Sequence, residues 1–161
     1  MALQNYSKIN CTIFLCEEST EDPIRSVSNI FNEIVPPKKS AVTFDIITVL
    51  NARDKDVKKM RLGMFLVYLK GEASIEVTPI GEEEFIKEKE SKIFSNHTDL
   101  FSDTILEKIT VKDHIFKYSG IYQIVALWLN EEETPETIMQ EQSFPMEKMA
   151  TSTTFKVSFS E

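Results

Sequence analysis

The chain has 161 residues, of which 42% are hydrophobic and 27% are charged. This length and composition are typical of one folded domain that buries its own core without disulfides or metal ions. The 26 acidic residues outnumber the 18 basic residues, for a formal net charge of −8, whereas a protein that binds duplex nucleic acid normally presents a basic surface. We therefore predict a single domain over residues 1–161 that has no nucleic-acid partner.

The location of the protein is predicted from segments that the sequence lacks. No stretch approaches the roughly 18 consecutive apolar residues of a membrane span, and residues 1–8 lack the basic leader and apolar run of a secretion signal. In one strand, Cys11 and Cys16 would face opposite sides about 16 Å apart, which is too far for a disulfide. We expect a cytoplasmic protein with two reduced cysteines and no membrane contact.

The N-terminal segments favour strands. Residues 8–16 are predicted to form the first strand. Residues 24–35 combine apolar side chains at helical spacing with several poor helix formers, so they form either an irregular strand or a short helix. The side chains on one face of the first strand are Ile9, Cys11, Ile13 and Leu15.

The next segments predict a run of neighbouring strands. Residues 41–50 alternate between apolar and polar side chains, residues 62–70 are apolar on both faces, and residues 73–80 follow a glycine turn. A charged loop at 51–59 would connect the first two strands. We expect 41–80 to form an antiparallel meander.

The segment 82–92 has a helix-like charge pattern. Glutamate and lysine recur four residues apart beside a thin apolar stripe, a spacing that brings side chains together on a helix surface. We expect a surface helix of about three turns or a mobile loop in this segment.

The remaining segments are predicted to be mostly short strands. Residues 104–111 and 113–118 are expected to be strands, 137–144 is weakly strand-like, and 146–152 is expected to be a linker. The last predicted strand covers 153–160. Its inward side chains would be Phe155, Val157 and Phe159.

The stretch 119–129 is apolar on both faces of its predicted strand. A sandwich hides only one face of each sheet, so such a strand needs a second layer of cover. We expect that cover from the segment 82–92, from the segment 24–35 or from a second copy of the chain, and we predict a partner surface on the outer face. The two sets of side chains are Tyr122, Ile124, Ala126 and Trp128 on one face, and Ile121, Val125, Leu127 and Leu129 on the other.

No catalytic, cofactor-binding or metal-binding residues are predicted, and no cofactor. The two histidines, His97 and His114, are not accompanied by the G-x-S-x-G motif of a serine hydrolase, and we expect both at the surface or at a rim. Histidine and cysteine do not follow the spacing of a metal site. The segment 54–56 lacks the glycine and distant glutamate of a calcium loop, and glycine-rich phosphate motifs are absent.

Three short motifs carry a resemblance to known proteins. They are Phe14-Leu15-Cys16 at the end of an early strand, residues 30–36 before a turn, and Gly120-Ile121-Tyr122 at the start of a late strand. In this order the chain resembles uncharacterised bacterial proteins of similar length that form a single β-sandwich. That resemblance implies a β-sandwich fold and no assigned activity.

The fold class follows from the number and order of the predicted strands. About eight short strands without a βαβ order predict an antiparallel β-sandwich, immunoglobulin-like or jelly-roll-like, with one short helix near 82–92. Its predicted core residues are Ile13, Phe44, Ile46, Phe65, Val67, Tyr122, Ile124, Leu127, Trp128, Phe155 and Val157.

For function, the sequence favours a non-enzymatic binding or assembly module that acts through protein–protein contact. Its target would be a protein partner or a second copy of the chain. One alternative is a carboxylate-based hydrolase directed at carbohydrate, which needs two acidic side chains beside one cleft. The other is an inhibitor that mimics the charge of nucleic acid, which needs an acidic stripe on one face.

Overall fold

The computed structural model describes residues 9–19, 27–52, 59–71, 74–86, 103–140 and 144–160, and these residues form two packed β-sheets. A helix, α1, spans Pro135–Met139, and a single 3₁₀ turn spans Met146–Lys148. The strands are β1 (Ile9–Ser19), β2 (Val27–Phe31), β3 (Glu33–Ile34), β4 (Ala41–Ala52), β5 (Lys59–Gly71), β6 (Ser74–Ile86), β7 (Asp103–Ile115), β8 (Gly120–Trp128) and β9 (Met149–Val157).

The two sheets have different strand numbers and are almost wholly antiparallel. The first sheet has the order β2-β1-β4-β7, and the second has the order β3-β9-β8-β5-β6. The short strand β3 is the exception, because it pairs in parallel with β9. This architecture confirms the predicted antiparallel β-sandwich.

The predicted meander over 41–80 is wrong, because its strands lie in two sheets. β4 pairs with β1 and β7, whereas β5 pairs with β6 and β8. The chain therefore changes sheet between β4 and β5, and only the hairpin of β5 and β6 is as predicted. The pattern of apolar residues along a strand marks its buried face, and it does not specify the sheet to which the strand belongs.

Large apolar side chains from both sheets fill the space between them, which we call the inner core. The rings of Phe44 in the first sheet and Phe155 in the second lie 6.2 Å apart. Burying one side chain of this size contributes about 1.5–3 kcal/mol relative to leaving it exposed. The buried members are Ile13, Leu15, Phe44, Ile46, Leu50, Leu62, Met64, Leu66, Val111, Phe116, Tyr122, Ile124, Ala126, Phe155 and Val157.

Every predicted core residue is buried except Trp128, which is half-buried against the inner core. Three of them, Phe65, Val67 and Leu127, lie on the other side of the second sheet. The predicted two-faced character of β5 and β8 is therefore confirmed: alternate residues of both strands enter the inner core and a separate outer core.

The outer core is covered by residues 130–140 and 144–148, which we call the cover segment. Ile138 of α1 is buried against β5 and β8, and the ring of Phe144 meets that of Phe65 edge-on at 5.1 Å. Val125 and Leu127, on the outer face of the second sheet, are thus buried within one chain. None of the three covers that we expected is the cover found. Leu129 is also buried under it, whereas Ile121, the fourth residue of this face, is 40% exposed, so most of this face is closed to a partner.

Three other predicted segments differ from the structure. Residues 82–86 belong to β6 rather than to a helix, and 87–92 lie outside the described residues. The weakly strand-like segment 137–144 begins within α1, and the predicted linker contains the 3₁₀ turn and the start of β9. The helix forms because Thr134 and Thr137 make a capping box and Pro135 occupies the first turn, which outweighs the strand preference of threonine.

The ambiguous segment 24–35 is extended in its described part. β2 is the edge strand of the first sheet, and two residues later β3 joins the edge of the second sheet. The chain changes sheet around Asn32, whose carbonyl oxygen accepts a hydrogen bond from the Lys156 amide at 2.9 Å. The expected irregular strand is therefore the alternative that the structure supports.

Arg61 of β5 holds the start of the cover segment in place. Its Nη1 donates to the carbonyl oxygen of Asn130 at 2.7 Å, and its Nη2 donates to that of Glu133 at 2.9 Å. Its Nε also donates to Glu82 Oε1 at 2.7 Å. At the other end of the segment, Lys148 Nζ bonds Glu133 Oε2 at 2.5 Å. The turn before α1 is thereby fixed to the second sheet.

Replacing Arg61 by methionine tests this role, because it removes the hydrogen bonds and retains most of the side-chain volume. We expect a loss of about 2–4 kcal/mol in the free energy of unfolding, since the carbonyls of Asn130, Glu131 and Glu133 and a carboxylate lose a charged donor. The control is Lys70→Met, which breaks an ion pair with Glu76 between side chains that are 46% and 45% exposed and should cost less than about 1 kcal/mol. Urea unfolding of both variants measures the difference, and equal losses would contradict the role given to Arg61.

Candidate functional site

Two concave surfaces lie at one end of the sandwich. The end of β7 and the start of β8 form one of them, and the end of β1, the segment 33–36 and the start of β4 form the other. We call them the aromatic cleft and the acidic groove. The aromatic cleft is lined by Leu66, Tyr68, Glu76, Thr78, His114, Ile115, Phe116, Lys117, Tyr118 and Tyr122. The acidic groove is lined by Glu17, Glu18, Phe31, Glu33, Ile34, Val35, Pro36, Ala41, Val42, Thr43 and Phe44.

Three tyrosine rings are packed in a row beside the aromatic cleft. The ring of Tyr68 stacks on that of Tyr118 at 5.2 Å with an interplanar angle of 13°, and it lies 4.8 Å from that of Tyr122. Tyr122 is buried, whereas Tyr118 is 47% exposed. The row therefore leads from the inner core to solvent and ends in an accessible aromatic ring.

Two hydrogen bonds fix the loop that carries Tyr118. Tyr122 donates its hydroxyl hydrogen to the Tyr118 carbonyl oxygen at 2.7 Å, and Tyr68 donates to that of Ser119 at 3.2 Å. A tyrosine near a strand start that bonds the backbone a few residues upstream is the tyrosine corner of immunoglobulin-like sandwiches. Two tyrosines of the row thus hold two successive carbonyls of the loop.

Gly120 is required at the start of β8 for two reasons. Its φ angle is +136°, which residues other than glycine rarely adopt. A Cβ atom at this position would also lie 3.1 Å from Cε1 of Tyr68. The sequence motif Gly120-Ile121-Tyr122 therefore marks a tight loop against the tyrosine row.

Four polar side chains lie around the aromatic cleft, namely Glu76, Thr78, His114 and Lys117. Burial lowers the pKa of His114, so its imidazole is neutral near pH 7. The His114 ring meets that of Phe116 edge-on at 4.6 Å. As predicted, His114 is a rim histidine; His97 lies outside the described residues.

The acidic groove is the larger of the two surfaces, with a cavity volume of about 460 Å³ against about 140 Å³ for the aromatic cleft. Its floor is apolar: the ring of Phe31 meets that of the buried Phe44 edge-on at 5.8 Å. Val35 at the side of the groove is 55% exposed. The groove is therefore an open, partly apolar surface.

The three glutamates of the acidic groove are all exposed. Glu17 Oε2 accepts a hydrogen bond from Asn29 Nδ2 at 2.7 Å, and Glu33 Oε1 accepts one from Ser158 Oγ at 3.3 Å. A general acid that works near neutral pH needs a carboxyl group in a desolvated position, and these side chains are in water. The groove thus has negative charge without the environment of a catalytic carboxyl.

A separate, partly buried polar cluster surrounds the buried side chain of Asp45 on the outer side of the first sheet. Asp45 accepts hydrogen bonds from Ser19 Oγ at 2.7 Å and from Thr110 Oγ1 at 2.6 Å, and Lys108 Nζ lies 4.0 Å from its Oδ2. Cys16 is buried beside it, and burial followed by the charge of Asp45 raises the pKa of the thiol. Such a thiol is a poor nucleophile. The hydrogen bonds from Ser19 in β1 and Thr110 in β7 to Asp45 in β4 join the three strands.

The part of the chain that the structure describes has neither a cluster of metal ligands nor a membrane-spanning helix. Among these residues, no group of three or more histidine, cysteine, aspartate or glutamate side chains could hold a metal ion. No helix in the described ranges is both long and apolar enough to cross a membrane.

Comparison with known proteins adds a fold likeness. No family model and no curated protein matches the sequence. A β-glucosidase from Listeria innocua, solved with gluconolactone, aligns with a TM-score of 0.51 and 7% identity over 96% of this chain and 16% of that chain. At this identity the likeness shows the fold alone, and the present chain spans about one sixth of the length of that enzyme.

Two further structures align less well. A hemolymph type prophenoloxidase from a crustacean has a TM-score of 0.49 and 9% identity, over 95% of this chain and 34% of that one. A chitin binding domain from Burkholderia pseudomallei has a TM-score of 0.31 and 10% identity, over 79% of this chain and 57% of that one. Neither likeness is close enough to indicate a function.

The residues of both concave surfaces were missed by sequence reasoning. Tyr122 was predicted only as a core residue, although it also lines the aromatic cleft, and no role was predicted for Tyr118, the exposed ring of the cleft. The usable signal was the Gly120-Ile121-Tyr122 motif, which marks the corner that presents this ring. No local pattern brings Glu17 and Glu33 together, because β1 and β3 belong to different sheets and approach each other only in the folded sandwich.

Replacing Tyr122 by phenylalanine tests the tyrosine corner. At pH 7 we expect a loss of about 1–2 kcal/mol in the free energy of unfolding, because the Tyr118 carbonyl loses its donor. The control is Tyr118→Phe, whose side chain is about half exposed and which should change stability by about 0.5 kcal/mol or less. Equal losses from the two variants would contradict the corner.

The same variant gives a pH test with a defined sign. Burial raises the pKa of Tyr122 to about 12, from its ordinary value of 10.0. The protonated hydroxyl is retained longer in the folded state, so its contribution is complete below pH 10 and falls between about pH 10 and 12. The difference in unfolding free energy between wild type and Tyr122→Phe should shrink over that range. A difference that stays constant up to about pH 12 would contradict the raised pKa.

Proposed function

We propose that this protein is a non-catalytic binding module that holds an extended segment of a partner protein in the acidic groove. The observation that carries the proposal is a groove with an apolar floor and three exposed glutamates along its sides. An occupant that fits both features has an apolar side chain flanked by lysine or arginine.

The apolar part of the groove suits a single anchoring side chain. Phe31 and Ile34 are half-buried at the groove, and Val35 is 55% exposed. An inserted apolar side chain would remove this surface from water, which contributes about 25 cal/mol per Å² of apolar area. Buried anchors in such pockets provide most of the binding energy in protein complexes. The cavity of about 460 Å³ has room for more than one side chain.

The charge of the groove suits a basic partner. Glu17, Glu18 and Glu33 line it, and the whole chain has a net charge of −8. Complementary charge speeds association and excludes acidic competitors, and its effect weakens as salt screens it. Lys38 and Lys39 follow in the turn after the groove but do not line it.

The wall of the groove is preformed. The segment 32–36 is bonded to the end of β9 and the residues that follow it: Ser158 donates its amide hydrogen to the Ile34 carbonyl at 3.0 Å, and Ser160 donates to that of Pro36 at 3.0 Å. The following turn is closed by the bond from the Ser40 amide to the Pro37 carbonyl at 3.1 Å. A wall fixed in this way loses little conformational entropy on binding.

A hydrolase has less support from the described residues. The aromatic cleft is lined by one carboxylate, Glu76, whereas glycoside hydrolysis normally uses a pair. The acidic groove has three, but all are exposed and two accept hydrogen bonds from Asn29 and Ser158. The β-glucosidase is a protein about six times as long, with which this chain shares a fold.

Selection of displayed random 12-residue peptides against the immobilised protein tests the proposal. We expect the enriched peptides to combine an aromatic or aliphatic residue with at least two lysines or arginines. Binding of a synthetic enriched peptide should weaken at least tenfold between about 50 mM and 500 mM NaCl. Enrichment of neutral or acidic peptides, or no enrichment at all, would overturn the proposal.

Matched variants locate the binding site. Glu18→Lys should weaken peptide binding at least tenfold, whereas Glu147→Lys makes the same change in net charge in the exposed 3₁₀ turn and should change it less than twofold. Val35→Ser should weaken binding, whereas Ile30→Ser should not, because Ile30 is 65% exposed and does not line the groove. Equal effects within either pair would show that the peptide binds elsewhere.

A further inference from the structure

We infer that the aromatic cleft is a second binding site, for a single pyranose ring that stacks on Tyr118 and is hydrogen-bonded by the polar side chains of the cleft. This site shares no residue with the acidic groove, so it does not rest on the proposed function. Its main feature is an aromatic ring that the fold holds at the surface. Tyr118 is 47% exposed, although one face of its ring is covered by Tyr68 at 5.2 Å.

The ring of Tyr118 is a rigid platform. Its stacking partner Tyr68 is itself packed against the buried Tyr122 at 4.8 Å. The backbone at the platform and directly after it is fixed by hydrogen bonds from Tyr122 to the Tyr118 carbonyl and from Tyr68 to the Ser119 carbonyl. A ligand that stacks on the outer face therefore meets a surface that needs no ordering, which favours binding.

The polar groups of the cleft match the chemistry of sugar hydroxyls, which both donate and accept hydrogen bonds. Glu76 provides an acceptor, Lys117 provides donors, and Thr78 can do either. His114 is neutral near pH 7 because burial lowers its pKa, so its ring nitrogens offer one donor and one acceptor. Glu76 also pairs with Lys70 at 3.3 Å, and a purely apolar ligand would take the other polar groups out of water without replacing their hydrogen bonds.

The size and charge of the cleft narrow the choice of ligand. Its volume of about 140 Å³ is below the about 300–1,000 Å³ of sites that enclose drug-sized ligands, so it suits one ring with the remainder of a chain in solvent. Glu76 and Lys117 have opposite charges, so the cleft lacks the cluster of cations that a nucleotide phosphate favours. A hexopyranose with equatorial hydroxyls meets both limits, since one face of its ring presents C–H groups to the aromatic platform.

Saturation-transfer NMR with methyl β-D-glucopyranoside and cellobiose tests the inference on the wild-type protein. We expect millimolar binding, with the strongest saturation on the ring protons of one sugar face. Adenosine monophosphate is the competing probe, because its base can also stack on tyrosine. Absence of saturation transfer to either sugar, or stronger transfer to the nucleotide that depends on Tyr118, would overturn the inference.

Variants then assign the platform. Tyr118→Ala should weaken cellobiose binding at least tenfold, and Tyr118→Phe, which retains the ring, should bind within about twofold of wild type. Glu76→Gln should weaken it at least threefold. The control Ile30→Ala removes an exposed apolar side chain outside the cleft and should have no effect. Unchanged binding in Tyr118→Ala would overturn the inference; if this variant fails to fold, the proton pattern on the wild-type protein remains the test.

Cross-controls separate this site from the acidic groove. Glu18→Lys should leave cellobiose binding unchanged, and Tyr118→Ala should leave binding of the enriched peptide unchanged. Loss of sugar binding in Glu18→Lys would contradict a site in the aromatic cleft. Failure of the peptide selection has no bearing on the sugar measurements, because the two sites share no lining residues.

Discussion

The constraint on which this structure depends is that two central strands, β5 and β8, are apolar on both faces. One set of their side chains fills the inner core between the sheets, and the other forms the outer core. Because a sheet of this kind cannot leave either face in water, the chain adds a third layer, the cover segment. Arg61 of β5 bonds the carbonyls of Asn130 and Glu133 in the cover segment. A polar contact between the second sheet and the cover segment therefore holds the apolar layer in place.

This use of the cover segment determines where binding surfaces remain. Ile138 and Phe144 cover the outer face of the second sheet at Val125 and Leu127, so this part of the face is closed to a partner. One end of the sandwich is not covered in this way. Loops there form the aromatic cleft and the acidic groove, both with partly apolar linings. Loops at the end of a rigid scaffold are where sandwiches commonly carry binding residues, and the acidic groove and the aromatic cleft both fit that rule.

The faces of individual strands could be predicted from the sequence, and the arrangement of the strands could not. The alternation in 121–129 placed Tyr122 and Ile124 on one face and Val125 and Leu127 on the other, and the structure confirms this division. Sheet membership was predicted wrongly for the strands in 41–80, since alternation contains no information about neighbours. The helix was misplaced because the capping box of Thr134 and Thr137 is a short signal, whereas the charge repeat after Glu82 is long and conspicuous.

A continuous series of aromatic ring contacts connects the acidic groove to the aromatic cleft. Phe31 and Phe44 form the floor of the acidic groove, and Phe44 stacks on Phe116 at 6.5 Å. Phe116 in turn meets Tyr122 at 5.1 Å, and the tyrosine row continues to the exposed Tyr118. Every ring of this series except Tyr118 is buried or half-buried, so a change in the middle of the series would alter packing at both concave surfaces. Substitutions that separate the two binding sites must therefore be made at exposed side chains, where each one contacts only one of the two concave surfaces.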